Sequence, residues 1–195
     1  MARGFVFILV IALWCLAIVL FRNLKMDFFK FFVGSIGFFT IAMVFFMGPL
    51  EKMLVDSLTY ILDLISKNTE WFEVLRTYGI MMIEPKGGGV ISMSINYQCS
   101  GVIELLVYTA LVIFFPFVTI GKKIIVLIVG NLYLVVANII RILFIVFMVK
   151  TFGKEAFDVS HLVIARILFF VLTIILYYKV FTKSQLSKQK VGEIK

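Results

Sequence analysis

Five stretches of this chain, 5–21, 28–48, 102–120, 124–149 and 162–181, are nearly free of charge. A helix rises about 1.5 Å per residue, so about 20 apolar residues cross the roughly 30 Å hydrocarbon layer of a bilayer. Each stretch is long enough to be read as a span. The chain has 195 residues, of which 63% are hydrophobic and 15% charged. A soluble domain of that size has no interior large enough for so much apolar surface, so the solvent is lipid. The expected fold is an all-α polytopic membrane protein, one membrane-embedded domain over 1–195. No small-residue cleavage site follows the first run, which argues against a removed signal peptide.

A sixth segment, within 51–66, reads differently. Leu54, Leu58, Ile61, Leu62 and Ile65 recur at helical spacing, but Asp56 and Asp63 interrupt the run. This pattern predicts an amphipathic helix that lies on the membrane or re-enters it, and not a span.

The formal net charge of +8 does not make a nucleic-acid surface. The cations cluster in short segments beside the apolar runs, as membrane topology demands, and that predicts contact with membrane lipids and no nucleic-acid partner. Arg22, Lys25 and Lys30 flank the first connection, and Lys122 and Lys123 sit in a tight turn at Gly121. Lys183, Lys188, Lys190 and Lys195 fill a basic tail at 182–195. Segment 49–100 carries six acids against four bases, and 150–161 balances two against two. The positive-inside rule then sets a multi-pass plasma-membrane topology, with the N-terminus outside, the C-terminus cytoplasmic and 49–100 external. On that topology Cys99 and His161 lie on the outer face, each just ahead of an inward-going helix, and Arg141 rises toward the same level.

Before Cys99 the pattern changes period. Val90, Ser92, Ser94 and Asn96 alternate with Ile91, Met93, Ile95 and Tyr97, and Pro85-Lys86-Gly87-Gly88-Gly89 precedes them. Period two after a glycine turn predicts a small external β-hairpin pairing 78–84 with 90–97; an irregular loop is the alternative. Lys86 and its glycines are not a phosphate loop, because no helix bearing Lys-Ser/Thr follows. There is no Cys/His metal spacing, and neither a metal nor another cofactor is expected.

Three residues carry the chemistry. Cys99 stands at or just before a helix N-terminus, where unpaired N–H groups and the helix dipole favour a thiolate. Ser100 flanks it as a less nucleophilic hydroxyl, and Gly101 would let a substrate backbone approach. Cys15, in the first run, reads as a small buried hydrophobe. Arg141 is a guanidinium inside a span, which costs about 2.5–3.5 kcal/mol on insertion scales. It either snorkels, pairs with Glu104, or serves as a fixed cation for an anion or developing oxyanion. Asn138, three residues earlier, shares its helical face and either orients it or donates to substrate. His161, the one histidine, either caps a helix beside Ser160 or is the base that cysteine chemistry needs. Glu104 pairs with Arg141 or Arg166, and Arg166 equally suits a lipid phosphate. A small non-enzymatic transporter or assembly factor, with Arg141 and Glu104 as its polar pathway, is the alternative to an enzyme.

Cys99-Ser100-Gly101 opening one span, Asn138-Ile139-Ile140-Arg141 within the next and His161 opening another together resemble the exosortase/archaeosortase family. The compact size resembles its small Gram-positive branch, exosortase type G. The resemblance implies an intramembrane cysteine transpeptidase or protease with Cys99 as nucleophile, His161 as general acid/base and Arg141 as transition-state cation. It implies a substrate bearing a C-terminal sorting signal, namely a short motif, a transmembrane helix and a basic cluster. It further implies cleavage through a thioester and transfer to a cell-surface lipid or glycan acceptor.

Overall fold

The computed structural model describes residues 2–85, 88–116 and 119–182. Lys86 and Gly87 of the expected glycine turn and the basic tail from 183 onward lie outside the described residues. The described chain is mostly helical. Helix α1 is Ala2–Asn23, α2 Asp27–Thr69, α3 Val102–Phe114 and α4 Ile120–Phe152. After them come α5, Ala156–Val159, a π-helical turn over Ser160–Ile164, α6, Ala165–Tyr177, and a second π-helical turn over Tyr178–Thr182. Among the described residues three helical stretches are long and apolar enough to cross a membrane: Asp27–Thr69, Ile120–Phe152 and Ala156–Thr182. On α6, Ile167, Phe170 and Ile174 are exposed at helical spacing, whereas Ala165, Phe169 and Leu176 are buried. An apolar face left exposed on an apolar helix is what lipid solvates.

Several boundaries differ from those the sequence predicts. The span 28–48 and the amphipathic segment 51–66 are one 43-residue helix with Pro49 inside it. Proline removes one helical hydrogen bond, and the residues on both sides of it keep helical geometry, so the helix continues through it. The expected span 102–120 is helical only to Phe114, 13 residues, about 20 Å. Pro116 disfavours helical geometry in the residue before it, which stops α3 early. Gly121, Lys122 and Lys123 are not a tight turn; they form the first turn of α4. There Lys123 Nζ donates to Ile113 O at 2.5 Å and satisfies a terminal carbonyl of α3. Ser160 and His161 do not start a helix, because α5 precedes them without a break.

The hairpin is present and is larger than expected. Strands β1 (Phe72–Leu75), β2 (Ile80–Ile83) and β3 (Ile91–Ser94) form an antiparallel sheet in that order. Arg76–Tyr78 form a 3-10 turn, and Gly79 at φ 64° returns the chain. Met81 pairs with Met93, and Ile83 with Ile91. The period-two expectation holds on β3, where Ile91 and Met93 are buried and Ser92 and Ser94 exposed.

The chain divides into two compact units. In the first, residues 1–48 and 103–131, the Trp14 indole donates to Val33 O and the Tyr108 hydroxyl to Val126 O. Gly130 leaves room for Tyr108, because a Cβ there would overlap the phenol ring and hydroxyl. In the second, residues 49–102 and 132–195, one apolar core joins Leu58 and Leu62 to Met81, Ile83, Met93, Ile145 and Val149. That core includes Cys99.

Gly130→Ala is expected to displace Tyr108 and destabilise the protein by about 1–3 kcal/mol, as overpacking does. Thermal unfolding in detergent measures it; an unchanged midpoint would contradict the packing.

Candidate active site

The turn after β3 builds the site. Both Cys99 N and Ser100 N donate to Asn96 O, at 2.9 and 2.8 Å. The turn ends at Gly101, whose φ of 74° favours glycine, and α3 begins at Val102. A Cβ on Gly101 would stand 3.4 Å from Asn138 Cγ, so the loop can lie against α4 at this point. Asn138 Nδ2 donates to Cys99 O at 2.8 Å across this close approach. Asn138 therefore holds the backbone of Cys99.

Cys99 is 5% exposed, and its Sγ lies 4.0 Å from His161 Nε2. His161 sits in the π-helical turn, a local widening often found at functional sites. The ring of Phe157, one turn earlier, stacks on the imidazole at 5.5 Å between centroids and 11° between planes. His161 Nδ1 is buried without a hydrogen-bond partner among the described residues, as is Asn138 Oδ1.

Arg141 is also 5% exposed. Its guanidinium makes a long bond, Nη1 to Gln98 O at 3.4 Å, and stands over the Phe169 ring at 5.6 Å. The ion pairs among the described residues are Lys30–Asp27 and Lys67–Asp63. Neither Arg141 nor Glu104 belongs to one, so the predicted pairing of Glu104 is not seen there. Glu104 lies in the first turn of α3, within the first compact unit. Ser100 is buried, and its hydroxyl donates at 3.4 Å to Tyr97 O. Cys15 and Cys99 are both free, and Cys15 is exposed along α1 and not buried as predicted.

The structure thus gathers Cys99, His161, Arg141 and Asn138 in one compact unit. Sequence reasoning missed Phe157 and Phe169, which brace the imidazole and the guanidinium. The spacing of Phe157 to His161, one helical turn, was a usable signal; nothing in the sequence marks Phe169 among so many phenylalanines.

The electrostatics revise one expectation. Burial pushes the Cys99 thiol above its ordinary value, although Arg141, Arg166 and a backbone hydrogen bond from Asn96 pull it down. The helix terminus does not keep a resting thiolate here, because desolvation outweighs the nearby positive charge. The imidazole Nε2 at 4.0 Å is the group within reach that can accept the thiol proton.

A helical membrane protein whose thiol, imidazole and guanidinium, the last without a carboxylate partner among the described residues, lie in one compact unit defines a class: a membrane protein with a cysteine-centred candidate site. Residues 1–178 match the family described as transmembrane exosortase (Exosortase_EpsH), and the chain belongs to that family. Membership supports a membrane transpeptidase or protease role in general. No curated protein and no solved structure matches the chain.

Alkylation of Cys99 by iodoacetamide is expected to keep accelerating with pH beyond the ordinary thiol range. Arg141→Ala removes a charge that favours the thiolate, so it should slow alkylation at pH 8 and move the profile further up. Mass spectrometry of the Cys99 peptide reads the rate; a plateau near neutrality would show a resting thiolate.

Proposed function

We propose that this protein is a membrane-embedded cysteine transpeptidase or protease that cleaves C-terminal sorting signals of surface proteins at the outer membrane boundary. The observation that carries the reading is Arg141, a buried cation with no carboxylate partner among the described residues, in the unit where Cys99 Sγ and His161 Nε2 stand 4.0 Å apart. Burying an unpaired charge is expensive, and a site that lowers a barrier at a developing anion repays it.

The chemistry runs in two halves. Neutral His161 takes the Cys99 proton at Nε2 as Sγ bonds to the scissile carbonyl carbon. The carbonyl oxygen becomes an oxyanion, which Arg141 stabilises more strongly in this low-dielectric setting than water would. The C–N bond then breaks, the imidazolium protonates the leaving amine, and a thioester remains on Cys99. Water or an acceptor amine or hydroxyl attacks the thioester. His161 takes that nucleophile's proton and returns it to the departing sulfur. The 4.0 Å gap between sulfur and nitrogen is of the kind that tightens when substrate binds. Asn138 orients the nucleophile by holding the Cys99 carbonyl.

The loop charges support an N-terminus outside and a C-terminus in the cytoplasm, which puts the cleavage step on the extracytoplasmic side of the plasma membrane. A sorting signal presents its motif there, just ahead of its own transmembrane helix, and the fragment passes to a surface lipid or glycan. The rival transporter reading needs a polar pathway through Arg141 and Glu104, and Glu104 joins no ion pair among the described residues.

Cys99→Ala and His161→Ala should abolish processing while the protein still accumulates in the membrane. Arg141→Ala should slow it by about 10²–10³, the usual loss for one oxyanion donor, and Arg141→Lys should recover little. Immunoblots of substrate against time, with membrane-fraction controls, measure this. Undiminished processing by Cys99→Ala would remove the reading.

A further inference from the structure

Beside the sheet of the second unit lies a groove of about 710 Å³. All four residues of β1 line it: Phe72, Glu73, Val74 and Leu75. Alternate residues of a strand face opposite sides, so a groove that touches both sets on β1 reaches round that strand's free edge, while Met82, Glu84 and Val90 carry it over the adjoining face of the sheet. β1 pairs with β2 alone. Among the described residues its backbone groups bond to no other segment. A free edge of this kind accepts an extended peptide as an added strand.

The charge of the groove selects the peptide. The far wall is the end of α2, where Lys67 is neutralised by Asp63 at 2.9 Å. Glu70, Glu73 and Glu84 remain, against Lys150. Glu70 stands just past the C-terminus of α2, where the last carbonyls add partial negative charge. Trp71 and Val90, both exposed, supply apolar surface between the acids. We infer that this groove binds an extended peptide segment carrying Lys or Arg between apolar residues, paired to β1 as a fourth strand.

The sheet also leads to the site, since β3 ends at Ser94, five residues before Cys99. A peptide held on β1 would thereby be tethered by its backbone to the enzyme that cuts it. That the peptide belongs to the substrate rests on the peptidase reading; that the groove takes it does not.

The test uses full-length Cys99→Ala protein in nanodiscs of phosphatidylcholine, with empty discs subtracted. Fluorescence anisotropy follows three synthetic peptides: one alternating Lys and Val, one with Glu for Lys, and the first with alternate backbone nitrogens methylated. The Lys–Val peptide should bind saturably, and the Glu–Val peptide should not bind. Glu73→Lys with Glu84→Lys should weaken binding at least about tenfold, through charge repulsion. Backbone methylation should weaken it by a similar factor of about ten, by removing strand hydrogen bonds. Glu73→Gln with Glu84→Gln keeps the shape of these exposed side chains, so a smaller loss in that variant separates charge from misfolding. Absence of Lys–Val binding, equal binding of both charge types, or indifference to reversal or methylation would overturn the proposal. Because this protein lacks the sulfur, the outcome is independent of the chemistry at Cys99. Binding here without any processing by the unsubstituted protein would remove the peptidase reading and leave the groove, and processing without binding would do the reverse.

Discussion

Arg141 is a charge that cannot be neutralised, held in the interior of a protein whose solvent is lipid. Among the described residues its guanidinium keeps one long bond to a carbonyl and the face of one phenyl ring. Those contacts fall well short of the five donors it carries. The desolvation of this ion is a standing cost to the fold, and the surrounding packing must over-determine its position for it to persist. That packing is the core joining the sheet, the end of α2 and the second half of α4. The same burial that leaves the cation short of partners also raises the thiol beside it. One environment therefore raises the Cys99 thiol and leaves the Arg141 cation short of partners among the described residues.

Cys99 and His161 are held by backbone devices more than by side-chain networks. The Cys99 loop is fixed by two bonds to Asn96 O, by the left-handed Gly101 and by the Asn138 amide. His161 is presented by a π-helical turn and braced by the Phe157 ring. No carboxylate among the described residues hydrogen-bonds to its Nδ1, which is buried and unpartnered. Stacking, and not a carboxylate, orients the imidazole. It fixes the plane of the imidazole and adds no compensating negative charge in a site that already contains Arg141.

The parts of this architecture legible in the sequence are those written as exceptions to a strong pattern. Apolar runs announce helices in lipid, so a cation, an amide and an acid within them stand out at once. Asn138 and Arg141 were visible in that way inside the run 124–149, Cys99 and His161 stood just ahead of runs, and the structure brings all four into one unit. Strand β3 was legible because alternation with period two contrasts with the helical runs around it. What stayed hidden depended on competition between effects. Pro49 is a helix breaker by its own chemistry, yet it lies inside α2, where the helix loses one bond and keeps the rest. Strand β1 has four residues and no alternation long enough to read. The state of the Cys99 thiol depended on desolvation against two guanidinium charges, a balance that spacing alone does not express. Phe169 was lost among 22 phenylalanines, since nothing but its contact with the guanidinium marks it as support, and Phe157 was marked only by its one-turn spacing to His161.

The central claim is that Cys99 sulfur becomes acylated during turnover. The most direct measurement is intact and peptide-level mass spectrometry of the protein purified at acid pH from membranes in which it is processing the cell's own surface proteins. The account predicts an acyl adduct on the peptide containing Cys99, released by hydroxylamine as a thioester is and missing in Cys99→Ala. Processing that proceeds with an unmodified Cys99, or an adduct carried by Ser100 in its place, would contradict it.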